Sequence, residues 1–169
     1  MTTKIDASTT SGLITSPDNS GILELQSGGV TVATLDSGGL EVNSGGINVS
    51  SGGVLISNQS ALGYSAGAGG TVTQLTSKAT TVTLNAPTGR IVMNNASLEA
   101  NASVQFSLSN TSIAATDLVL VTVNFSSQYA VRVVATATNS AAILLTNTTT
   151  GSLSDAVVLN FAIIKGATS

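Results

Sequence analysis

The sequence predicts an all-β protein. Three observations carry the prediction. Aliphatic residues alternate with Ser, Thr and Asn in short runs, turn signals separate those runs at close intervals, and no stretch has a 3.6-residue amphipathic period. The expected order is an extended amino-terminal arm, a short shaft of Gly-Gly repeat strands, and a β-sandwich or jelly-roll-like carboxyl-terminal domain.

Composition supports this class and narrows the chemistry. The chain has 169 residues, of which 42% are hydrophobic but only 3% aromatic and 8% charged. A soluble domain ordinarily carries about 25% charged residues. Here Ser, Thr, Asn and Gly take their place, and these suit strands and turns better than exposed helix. A net charge of −3 with five basic residues argues against a nucleic-acid partner. There is no Cys and no His, which removes disulfides, thiolate metal sites and the commonest general base. No cofactor, metal or catalytic residue is expected. MTTKIDASTTSG has no apolar core, so no secretory signal is read there. The most apolar run, 156–164, is interrupted by Asn160 and is too short to span a bilayer. A soluble protein without membrane insertion is expected.

Residues 1–19 are polar and aperiodic and read as an attachment arm. Residues 20–60 read as a shaft. SGILELQ leads into SGGVTVATLD, followed by the seven-residue units SGGLEVN, SGGINVS and SGGVLIS. Within each unit period-2 alternation marks a strand with one buried face: Leu40 and Val42, Ile47 and Val49, Val54 and Ile56. The pairs Gly28-Gly29, Gly38-Gly39, Gly45-Gly46 and Gly52-Gly53 supply the positive φ that tight reversals need. Two geometries fit. Either each Gly-Gly is a hairpin loop in a meander, or the chain winds around identical partners and stacks its aliphatic residues along a shared axis. In both, a lone copy has one narrow aliphatic row and two open edges, which is marginal in water. Other copies of the chain are the economical source of cover.

Residues 61–70, ALGYSAGAGG, read as a Gly-rich joint, and 71–169 as the sandwich domain. Eight strand-like segments follow: TVTQLT, TTVTLN, GRIVMN, SVQFSLS, DLVLVTVN, QYAVRVVATAT, SAAILLTN and DAVVLNFAII. In SVQFSLS, Val104, Phe106 and Leu108 alternate with polar residues, so one face is wet. DLVLVTVN is largely apolar on both faces, as for a central strand or one in a subunit interface.

The motif search finds little chemistry. GYSAGAGGT lacks the lysine of a phosphate loop and the third glycine of a dinucleotide fold. Glu24, Glu41, Glu99, Asp117 and Asp155 are dispersed and read as strand-end and turn charges, not as a glycosidase pair. The repeats lack the aspartates of a calcium-binding β-roll. Tyr129 and Arg132 are the best candidates for surface recognition.

SGILELQSGG and VATLDSGG resemble the short-strand shafts of bacteriophage fibre proteins, which are typically homotrimeric. GYSAGAGGTVTQLTSKATTVTLNAPTGRIVMNNASL, with GSLSDAVVLNFAIIKG, resembles a β-rich domain of small phage structural proteins, over about residues 62–166. The resemblance implies a homotrimeric virion component, a short fibre or a head or tail decoration, assembled in the host cytoplasm. Its arm would contact capsid or tail proteins and Leu40, Val42, Ile47, Val49, Val54 and Ile56 would form the intertwined neck. An enzyme is not expected. The alternative function is a module that contacts a host-surface glycan or protein.

Overall fold

A computed structural model describes residues 22–43, 46–47, 49, 54, 62–124 and 126–167. These fall into two compact units, one within Met1–Ser60 and one within Ala61–Ser169. Among the described residues every regular element is a strand, so the chain is all-β.

The first unit is a three-stranded antiparallel meander of β1 (Leu23–Ser27), β2 (Val30–Asp36) and β3 (Gly39–Val42), with β2 in the centre. Over this stretch the hairpin geometry is the one adopted. Its two turns differ despite both being Ser-Gly-Gly. Gly28 and Gly29, at φ 60° and 80°, form a two-residue loop between the paired Ser27 and Val30. Positive φ at both central positions is the type I′ requirement. In the second turn the loop is Ser37-Gly38, and Gly39 opens β3 opposite Asp36. The cause is local. Asp36 Oδ1 accepts a 2.7 Å hydrogen bond from the Gly38 amide, closing an Asx turn one residue earlier. The sequence expectation of a Gly-Gly loop therefore holds at the first turn and shifts by one residue at the second. Residues 1–19, expected to form an attachment arm, lie outside the described residues.

The second unit contains two four-stranded sheets. One has the order β5 (Val82–Thr83), β7 (Ser103–Ser109), β10 (Ser140–Asn147), β9 (Tyr129–Ala137). The other has the order β4 (Gly69–Thr73), β6 (Thr88–Val92), β11 (Val158–Ile164), β8 (Leu118–Asn124). Alternation puts one face of each sheet into a common core. Phe106, Leu108, Ile143 and Leu145 come from the first, and Ile91, Val119, Leu159 and Phe161 from the second. The result is sandwich-like. It departs from an eight-stranded jelly roll of two Greek keys, because the edge strands β4 and β5 pair in parallel with β6 and β7. Of the two places expected for DLVLVTVN, the central one is excluded, because β8 is the edge strand of its sheet; nothing in the structure tests the subunit interface. Gly69 and Gly70, assigned to a joint on sequence, begin β4. A Cβ on Gly69 would stand 2.9 Å from the Thr88 carbonyl oxygen, so the close parallel pairing with β6 requires glycine there.

Among the described residues, every buried side-chain nitrogen and oxygen of this unit has a hydrogen-bond partner. Asn147, fully buried, donates through Nδ2 to the carbonyls of Leu98, Glu99 and Gly151 at 2.7–3.0 Å. That one amide ties the Leu98-Glu99 segment, whose Leu98 bridges to Leu153, to the loop after β10.

Candidate functional site

The register of the amino-terminal sheet sorts its side chains onto two faces. Leu23 pairs with Leu35, and Leu35 with Leu40; Leu25 pairs with Ala33, and Ala33 with Val42. Directly paired residues share a face, so these six form one continuous aliphatic surface. The opposite face carries Glu24, Thr34 and Glu41 in one row. There Glu24 Oε2 accepts from Gln26 Nε2 at 3.0 Å and Thr31 Oγ1 at 3.2 Å. Two glutamates and their partners commit that face to water.

The aliphatic face is uncovered. Ala33 is its one buried member, while Leu23, Leu25, Leu35 and Leu40 remain 41–60% exposed. Both outer strands also leave an unpaired edge. Of the residues expected to build the neck, Leu40 and Val42 lie on this face. Ile47, Val49 and Val54 lie outside the three strands and are 72%, 42% and 68% exposed, and Ile56 lies outside the described residues. Gly46 has the expected positive φ, whereas Gly38 does not; Gly45, Gly52 and Gly53 lie outside the described residues. Sequence reasoning overlooked Leu23, Leu25, Ala33 and Leu35. Their alternation in LELQ and VATLD was visible, but attention to the strict seven-residue units passed over it.

Tyr129 and Arg132 do not form a site. Three residues apart on one strand, they face opposite sides of β9. Tyr129 is 6% exposed within the core, and Arg132 is exposed. The Tyr129 hydroxyl donates to Asp155 Oδ2 at 3.0 Å, and burial together with this carboxylate raises its pKa to about 12. Nearby, buried Lys78 donates through Nζ to the carbonyls of Asn94 and Asp155, at 2.5 and 2.6 Å. Burial lowers its pKa and the Asp155 charge partly opposes that. These contacts fasten the loop before β11 to the loop after β4.

Beside them opens a cleft of about 400 Å³ of mixed character, lined by Arg90, Asn124, Gln128 and Asp155 together with Val157 and Val158 among others. Among the acidic residues weighed as a catalytic pair, Glu99 accepts from Ser152 Oγ at 2.6 Å. Asp117 accepts from Lys165 Nζ at 2.5 Å and from the Ala114 and Gly166 amides. Each has a structural partner, and among the described residues no cluster of three or more acidic side chains could hold a metal.

Compared with models of known families, with curated proteins and with solved structures, the chain matches none. The site is therefore defined by its own geometry: an amphipathic meander with one aliphatic face open to water.

Proposed function

We propose that this chain is a structural protein on the exterior of a bacteriophage particle, assembled as a homotrimer into a short fibre or a capsid or tail decoration. The arm attaches to the particle, the amino-terminal meander forms the neck with its counterparts, and the sandwich-like unit projects from it. The work is burial, with no reaction catalysed. One observation supports the reading best: the meander has a continuous aliphatic face on which Leu23, Leu25, Leu35 and Leu40 are left about half exposed. Covering four half-exposed leucines adds about 3–6 kcal/mol per chain, at about 1.5–3 kcal/mol for a fully buried side chain. The number three and the virion setting rest on the resemblance of the Gly-Gly units and the carboxyl-terminal blocks to phage fibre and decoration proteins.

The test is the double substitution Leu25→Asp and Leu40→Asp. Both side chains are exposed in one chain, so the change spares the core of a monomer and acts on the association. Sedimentation is expected to give a trimer for the unaltered chain and a monomer for the double variant. A variant that stays trimeric removes this face from the interface. Antibody labelling of intact particles tests the location.

A further inference from the structure

The mixed cleft beside Tyr129 opens at one end of the outer face of the β4-β6-β11-β8 sheet. Val158 pairs with Asn124 on one side and Val92 on the other, and Arg90 stands two residues before Val92. Alternation therefore puts Asn124, Val158 and Arg90 on the same face. Ser126 and Gln128 approach from the β8–β9 loop, and Asp155 from the loop before β11. These two loops are tied down behind the cleft. The Gln128 carbonyl accepts from the Thr148 amide and from Thr148 Oγ1, each at 2.9 Å. Ser126 Oγ accepts from the Gln128 amide at 3.3 Å. Asp155 is held at Oδ2 by the Tyr129 hydroxyl and at its carbonyl by Lys78 Nζ, at 3.0 and 2.6 Å. The ends that face the cleft are not tied. Among the described residues the Arg90 guanidinium, the Asn124 and Gln128 side-chain amides and Asp155 Oδ1 have no hydrogen-bond or ion-pair partner.

We propose that this cleft binds a neutral sugar unit of a glycan. Size, charge and hydrogen-bonding pattern select that class. A volume of about 400 Å³ lies toward the lower end of small-molecule clefts, about 300–1,000 Å³. It admits a sugar ring and not the face of a folded partner. Arg90 and Asp155 bring opposite charges, while Lys78, behind Asp155, is engaged by two carbonyls. An anion such as phosphate or a uronate would meet the Asp155 carboxylate, and a cation would meet Arg90. A sugar hydroxyl donates and accepts at once. The unpartnered ends match it, since the guanidinium only donates, the carboxylate only accepts, and each amide does both. A zwitterion is also neutral overall, but it would answer the two charges and leave both amides to water. Val158 supplies an apolar floor for the C–H face of a ring. Because the loops are already fixed, little ordering is left for the ligand to impose. Tyr129 is then a positioning residue, acting through Asp155. The inference is independent of the homotrimer, because every residue of the cleft belongs to one chain.

The test titrates glucose, galactose, mannose and N-acetylglucosamine, each at millimolar concentration, into the intact chain. Saturation-transfer NMR reads the sugar and so tolerates a large assembly. Saturable binding is expected for at least one of the four. Arg90→Ala and Gln128→Ala are each expected to weaken it by about tenfold or more. Arg132→Ala, which removes an exposed arginine from the other sheet, is expected to leave it unchanged. Arg90 and Gln128 are both exposed, so each variant should fold, and unchanged melting temperatures check that. No saturable signal from any of the four overturns the inference. Binding that survives both cleft substitutions overturns it too, because the sugar then sits elsewhere. Glycine, glucuronate and inorganic phosphate are run beside the sugars. If any of these binds the cleft and no neutral sugar does, the assigned class is wrong.

Discussion

Asp117 carries more structural responsibility than its place in a turn suggests. Its carboxylate receives the Ala114 amide, the Lys165 ammonium and the Gly166 amide, in that order of influence apart from its partial desolvation, and its pKa falls to about 2 from the ordinary 3.8. The folded state therefore favours the ionised form. The resulting stabilisation is complete above about pH 4 and is lost as the pH falls toward 2. Asp117→Asn is expected to lower the melting temperature of the carboxyl-terminal unit near neutrality, by an amount that shrinks as the pH approaches 2. Equal deficits at both ends of that range would show that the charge is immaterial. At this scale the sequence was least legible. Gln74, Lys78, Asn110, Asp117 and Asn147 are all buried, yet in a chain so rich in polar turn formers each resembles a solvated loop residue. For Lys78, Asn110 and Asn147 that burial depends on carbonyls distant in sequence. Lys78, for example, is satisfied by Asp155, 77 positions away, and no local pattern encodes that partnership.

Strands were far more legible, because alternation is a local signal and the core enforces it. The eight segments expected after residue 70 correspond to the eight strands described in the second unit, SVQFSLS and SAAILLTN with the expected bounds and the others with shifted ends. TVTQLT stops at Thr73 because the Gln74 side chain turns inward to donate to the Lys78 and Thr80 carbonyls. TTVTLN shrinks to Val82–Thr83, with Pro87 four residues on limiting further pairing. The parallel edge pairs were not legible, since period-2 patterning gives a strand's faces and not its neighbours. Glycine pairs were legible as turns but not in register, and the two turns make an element-level prediction. Gly28→Ala and Gly29→Ala each place a side chain at positive φ, at a cost of about 1 kcal/mol or more. Gly39→Ala is expected to behave likewise at φ 115°. Gly38 has no positive φ, and an added Cβ meets only Asp36 Oδ1 at 3.1 Å, so Gly38→Ala is expected to be mild. Thermal shifts of the amino-terminal meander across the four variants measure the contrast. A Gly38→Ala as damaging as Gly39→Ala would contradict the shifted turn.

For the whole molecule, the two units differ in what holds each together. The carboxyl-terminal unit encloses Ile91, Leu108, Ile143, Leu145 and Leu159 at 0% exposure and supplies its own core. The amino-terminal meander encloses only Ala33. Three strands with one apolar face stand near the lower limit of an independently stable sheet, and four of the six side chains on the meander's apolar face stay about half exposed. If copies of the chain cover that face, as proposed, the meander's stability follows mass action, while that of the carboxyl-terminal core does not. Hydrogen exchange followed across a dilution series separates the two. Amides paired between β7 and β10 and between β6 and β11 are expected to keep their protection at every concentration. Amides paired between β1 and β2 are expected to lose theirs as the assembly dissociates, and the Leu25→Asp, Leu40→Asp variant should show that loss at any concentration. If the β1–β2 amides instead stay protected in a dilute monomer, the meander is self-sufficient, its leucines tolerate water, and the reason for proposing companions disappears.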